Sequence, residues 1–140
     1  MNLRRASEFF SLPPLIAVGV LALNDHLLKA RFHNLVTGKL SDFAGCFFLP
    51  LYLSALLAWL GPWSLRARLA IGASATALLF VPIKVSQPAA DAVGHAIEVV
   101  SVPLGLGRQH IVADPTDLIA LVMTGLAVWY AVWVNDSTPS

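Results

Sequence analysis

Charge is scarce in this chain. Only 12% of its 140 residues are Asp, Glu, Lys or Arg, about half the share usual in a soluble domain. The formal net charge of +1 excludes the broad basic surface that a nucleic-acid partner requires. The single cysteine, Cys46, excludes an intramolecular disulfide and fixes no redox compartment. Histidines and acids are scattered without the spacing of a closed metal site, so neither a structural metal nor a cofactor is expected. Low-complexity segments and internal repeats are also lacking, and there is no room for a separate soluble catalytic domain.

What fills the chain is apolar sequence: 57% of residues are hydrophobic and the mean hydropathy is +0.73. The long runs are 12–23, 43–60, 67–81 and 118–134, each near bilayer-spanning length once its flanks are counted. The pattern predicts an all-α, polytopic membrane bundle forming one domain over 1–140. Its four transmembrane helices are expected at about 12–32, 42–60, 67–85 and 115–134, joined by one short interfacial or re-entrant helix.

The start of the chain resembles a signal peptide. Yet Leu23-Asn24-Asp25-His26 offers no small-x-small cleavage site, which predicts a retained first span. Pro13 and Pro14 fit its first turn, where backbone N–H groups need no internal partner. Segment 34–41, with Thr37-Gly38, reads as a connecting turn, and Gly61-Pro62 ends the second span. In the third, Ala70, Gly72, Ala73, Ser74, Ala75, Thr76 and Ala77 permit close backbone approach, so that span is expected at the bundle's centre. Segment 86–101, opened by Pro88, carries Asp91, His95 and Glu98 at helical spacing, as an interfacial amphipathic helix would. Pro103–Gly107 reads as a turn before the last span.

Arg4, Arg5, Arg66 and Arg68 then fall on one side, the last two in a short loop, which favours a cytoplasmic N-terminus in a bacterial inner membrane. Trp59 and Trp63 at one end, and Trp129, Tyr130 and Trp133 at another, suit the aromatic belts of a bilayer.

The scarce polar residues gather at particular run ends. Asn24, Asp25 and Lys29 leave the first run, Lys39 and Asp42 enter the second, Lys84 leaves the third, and Asp114 and Asp117 enter the fourth. An up-down-up-down arrangement places those ends on one membrane face. Each cluster also has a structural explanation. Asp25 and Lys29 are one turn apart and can neutralise each other. Ser41 or Asp42 can cap the second helix, and Asp114, followed by Pro115, can cap the last. Asp91 and His95 can share a ligand or simply form a solvated stripe. His33 and His110 fit solvated loops, and Cys46 fits core packing.

Against those explanations stands the cost of ionisable groups at membrane depth, where they usually face a bundle interior or aqueous cavity. Asp25, Lys39, Asp42 and Asp117 are therefore the catalytic candidates. Asn24, Asp25, Lys29, Lys39, Asp42, Lys84, Asp91, His95, Asp114 and Asp117 form the expected ligand-binding set.

Two stretches carry a family resemblance. Lys39-Leu40-Ser41-Asp42-Phe43 and Asp114-Pro115-Thr116-Asp117-Leu118-Ile119-Ala120-Leu121 resemble patterns of the VanZ-like family of small bacterial membrane proteins. Asp42 stands where that pattern has histidine, Leu121 where it has asparagine, and Gly125 one position later than its glycine. The resemblance implies a membrane helical bundle and a cell-envelope or glycopeptide-response setting, without a defined reaction.

Mixed acids and lysines beside an apolar wall suit an amphiphile with a phosphate- or amine-bearing headgroup, so the leading expectation is binding or modification of an envelope lipid. A small proton-coupled transporter is one alternative. A metal-dependent hydrolase using Asp25, His26, Asp91, His95 and Asp117 is another. A third is a subunit of a membrane complex, with a homo-oligomer or a partner protein covering the polar face.

Overall fold

The computed structural model describes residues 9–24, 27, 35–105 and 111–137. Among them every regular element is helical and none is a strand. The helices are α1 (Leu12–Leu23), α2 (Leu35–Leu60), α3 (Leu65–Val85), α4 (Gln87–Ser101) and α5 (Leu121–Ser137), with a 3₁₀ turn over Pro115–Ala120 leading into α5. Three stretches are helical, long and apolar enough to cross a membrane: Gly38–Leu60, Leu65–Val85 and Pro115–Ser137. Helix α1 is apolar but, at 12 residues, extends only about 18 Å. The remainder of the expected first span lies largely outside the described residues.

Several boundaries correct the sequence reading. Residues 35–41 belong to α2, not to a connecting turn. Gly38 costs about 1 kcal/mol relative to alanine in a helix, too little to stop one whose backbone bonds continue on both sides. Ser41 and Asp42 consequently lie inside α2 rather than capping it. Arg66 and Arg68 lie in the first turns of α3, not in a loop.

The chain divides into two compact units, 1–76 with 120–140 and 77–119. In the first, α2 packs against both α1 and α5. Phe47 and Leu51 of α2, Leu69 of α3, Ala17 of α1 and Ala127 and Ala131 of α5 form its buried core. The central helix is thus the second span rather than the third: 44% of its most apolar window is buried, against 28% for each of the other two candidate spans. Small residues on α3 serve the same packing at one point. A Cβ at Gly72 would sit 2.5 Å from the Pro50 carbonyl oxygen, so α3 meets the α2 backbone where only glycine fits.

Pro50 has a second consequence. Lacking an N–H, it leaves the carbonyl of Cys46 without its usual i+4 donor. The Thr124 hydroxyl on α5 donates to that oxygen at 2.9 Å, in a buried position. A hydroxyl from a neighbouring helix thereby stands in for the missing amide, one way that proline is tolerated inside apolar helices. Arg68, itself buried, donates from its guanidinium to the Ser54 carbonyl at 3.0 Å. Around the start of α1, Phe9 packs on Phe48 and Tyr52 of α2, with ring centroids 5.5 and 5.9 Å away. Nearby, Tyr130 of α5 donates to the Ser11 hydroxyl at 2.8 Å.

In the second unit, Ser86 separates α3 from α4 and caps the latter, accepting from the Ala89 N–H at 3.4 Å. Pro88 occupies the first turn of α4, as expected. Ala90, Gly94 and Ser101 are its buried residues. The chain then turns through Gly105, whose φ of +74° suits a residue without a Cβ.

Candidate functional site

The second unit brings together two of the predicted residues. Lys84, in the last turn of α3, and Asp117, in the 3₁₀ turn opening the last candidate span, form an ion pair with Nζ donating to Oδ2 at 2.9 Å. Their side chains are only 8% and 10% exposed. Phe80, one turn before Lys84, places its ring centroid 5.3 Å from the ammonium, within cation–π reach. Each ion depends on the other, because removing one leaves a buried charge uncompensated.

The turn that positions Asp117 is built by its neighbour. Asp114 Oδ1 accepts from the Thr116 N–H at 3.0 Å and from the Thr116 hydroxyl at 2.7 Å. The Asp117 N–H donates to the Asp114 carbonyl at 3.0 Å. Pro115 then starts the 3₁₀ turn, with φ already fixed and no N–H to satisfy. Asp114 therefore acts as the helix cap, leaving Asp117 to face Lys84.

Gln87, absent from the sequence-based set, fixes the incoming strand of chain. Its side-chain amide donates to the Asp91 carboxylate at 2.8 Å and to the Ile111 carbonyl at 3.0 Å, and its Oε1 accepts from the Ala113 N–H at 3.0 Å. One side chain thus ties the first turns of α4 to residues 111–113, immediately before the Asp114 cap. His95, one turn beyond Asp91, donates from Nδ1 to the Asp91 backbone carbonyl at 2.7 Å, since a carbonyl can only accept. Asp91 and His95 are both exposed, and both are engaged locally.

The other predicted residues belong to the first unit. Asn24 is fully buried, where the α1 backbone widens to π-type geometry, and its amide donates to the Ser41 hydroxyl of α2. Lys39 and Asp42 are half-buried on α2, three residues apart and so on neighbouring positions of one face. Asp25 and Lys29 lie outside the described residues, as do His26, His33 and His110. Cys46 is buried. Among the described residues no group of three or more His, Cys, Asp and Glu side chains is placed to hold a metal ion.

No protein-family model, curated protein or solved structure matches the chain.

Proposed function

We propose that this chain is a four-span membrane protein that binds an amphiphile through the Lys84–Asp117 pair. The envisaged ligand carries a phosphate together with an amine or hydroxyl in its headgroup. The buried ion pair at the ends of two candidate spans carries the reading. Lys84 offers a point charge to a phosphate, and Asp117 an acceptor to an amine or hydroxyl. A headgroup bearing both can replace the two halves of the pair at once, leaving neither ion unmatched. The apolar helices supply the wall for the acyl portion. Modification of the bound lipid is the extension of this reading, with Asp117 as its proton-accepting group.

In this reading α1 and the residues after it complete the fourth span, and the membrane is the cytoplasmic membrane of a bacterium with the N-terminus inside. The two VanZ-like stretches support the envelope setting. The test is the lipid that the full-length protein carries through mild purification, identified by mass spectrometry. Enrichment of one phosphate-and-amine or phosphate-and-hydroxyl lipid over the bulk membrane, lost when both Lys84 and Asp117 are made apolar, is the expected result. An unchanged lipid profile in that folded variant removes the proposal.

The same pair favours a second reading, proton-coupled transport, because a carboxylate held near a membrane span is what a proton site requires. Proteoliposomes containing a pH-sensitive dye separate the two, since lipid binding alone moves no protons.

A further inference from the structure

A second feature belongs to the first unit. Arg66, Leu69, Ala70, Ala73 and Ser74 of α3, with Val128 and Val132 of α5, line an open groove of about 410 Å³. Its walls are mostly apolar. The one charge on them is the guanidinium of Arg66, exposed in the first turn of α3, where a candidate span begins. Among the described residues no carboxylate pairs with it. On the same half of α5, Trp129 and Trp133 are exposed and stacked with ring centroids 6.5 Å apart, the amphipathic rings that anchor at headgroup depth.

We infer that this groove holds one anionic phospholipid of the surrounding bilayer, with an acyl chain along Leu69, Ala70, Ala73, Val128 and Val132 and the phosphate on Arg66. The shape and charge of the site require each part of that ligand. A groove kept open by two alanines accepts a flexible chain, whereas a leucine at either position would fill it. A cation at the membrane-surface end of an apolar groove is complementary to a molecule with an anion at one end and a hydrocarbon chain behind it. Guanidinium binds phosphate through paired N–H donors, and the interface lets Arg66 reach the phosphate while its stem stays on apolar surface. A zwitterionic lipid offers the same chain, but its own cation offsets the phosphate.

The purified full-length protein in mild detergent, titrated with phosphatidylglycerol or phosphatidylcholine and followed by native mass spectrometry, tests the site. Phosphatidylglycerol is expected to be retained over phosphatidylcholine. Arg66→Gln should reduce that retention by about fivefold, the factor expected for one basic residue near a membrane surface. Arg66→Lys, which keeps the charge but not the paired donors, should restore part of it, and Ala73→Leu should remove it by filling the groove without touching the charge. Thermal unfolding of each variant identifies any that fail to fold, and Arg66→Gln together with Arg66→Lys keeps the test intact if Ala73→Leu is among them. Equal retention of the two lipids, or Arg66→Gln behaving as wild type, overturns the inference. So does a wild-type dimer that Ala73→Leu dissociates, which would make the groove a contact between two copies.

Discussion

Replacing Lys84 by methionine should destabilise the protein far more than replacing both members of its pair. In Lys84→Met the Asp117 carboxylate keeps its place, 10% exposed, but loses the ammonium that stood 2.9 Å away. Breaking a buried pair from one side costs about 3–5 kcal/mol, most of it the penalty of an uncompensated charge. For a domain of this size that corresponds to a fall in melting temperature on the order of 10 °C. Asp117→Leu should cost a similar amount by stranding Lys84, although Phe80 at 5.3 Å softens the loss by about 0.5–2 kcal/mol. The double variant Lys84→Met/Asp117→Leu removes both charges and restores apolar packing, an exchange that is often neutral. Tryptophan fluorescence during heating in detergent reads all four proteins, and the cycle yields the coupling between the two sites. A double variant as unstable as the sum of the singles would refute the reasoning, because the two side chains would then act independently. If the double variant folds and still carries the wild-type lipid, the pair is a structural lock and the proposed function fails.

Other consequences follow from single contacts. Gly72→Ala should lower the melting temperature sharply in the same assay, since the new Cβ would lie 2.5 Å from the Pro50 carbonyl oxygen and backbone cannot yield as a side-chain tip can. Thr124→Val keeps the shape but leaves the Cys46 carbonyl without the 2.9 Å hydroxyl bond, at an expected cost of about 0.6–2 kcal/mol. Asp114→Ala removes the acceptor of two Thr116 bonds and should cost about 1 kcal/mol, visible as earlier unfolding in the same assay. Cysteines introduced at Asn34 and Arg108 should label from one side of the membrane and one at Ser64 from the other. Opposite accessibility for Asn34 and Arg108 would refute the up-down-up-down expectation.

The long elements were legible because hydrophobic runs and helical length are properties of contiguous sequence. The 43–60 run lies within α2 and the 67–81 run within α3. What escaped was information held at a distance. Lys84 and Asp117 each stand out by type and position, but their 2.9 Å contact joins residues 33 apart, and neither local spacing nor composition encodes that pairing. Gln87 escaped for a different reason. A glutamine beside a proline at a helix start has ample ordinary explanations, and its role appears only once residues 111–113 lie against it. The Asp114 cap was the opposite case, since Asp-Pro-Thr-Asp contains acceptor, φ lock and donor within one turn.

The centre of the first unit shows which sequence signal misleads. Alanines and glycine on α3 suggest the most closely packed helix, yet only 28% of that span's window is buried, against 44% for the second span, and its close approach to the α2 backbone rests on Gly72. Pro50 was the better signal, and it was present in the sequence. A proline well inside a long apolar run leaves an unbonded carbonyl four residues earlier, and in hydrocarbon that oxygen must find a donor. A hydroxyl on a neighbouring helix is one group that can meet that requirement. Among the described residues Thr124 supplies it, joining the run broken by Pro50 to the last span. The span that Thr124 fastens to α2 is the one opened by Asp117, so Thr124→Val should loosen its seating without altering the charge of the pair. A parallel loss of lipid retention in Thr124→Val would therefore show that the site depends on how firmly that helix is held, whereas unchanged retention would assign the site to the Asp114–Asp117 turn and Lys84 alone.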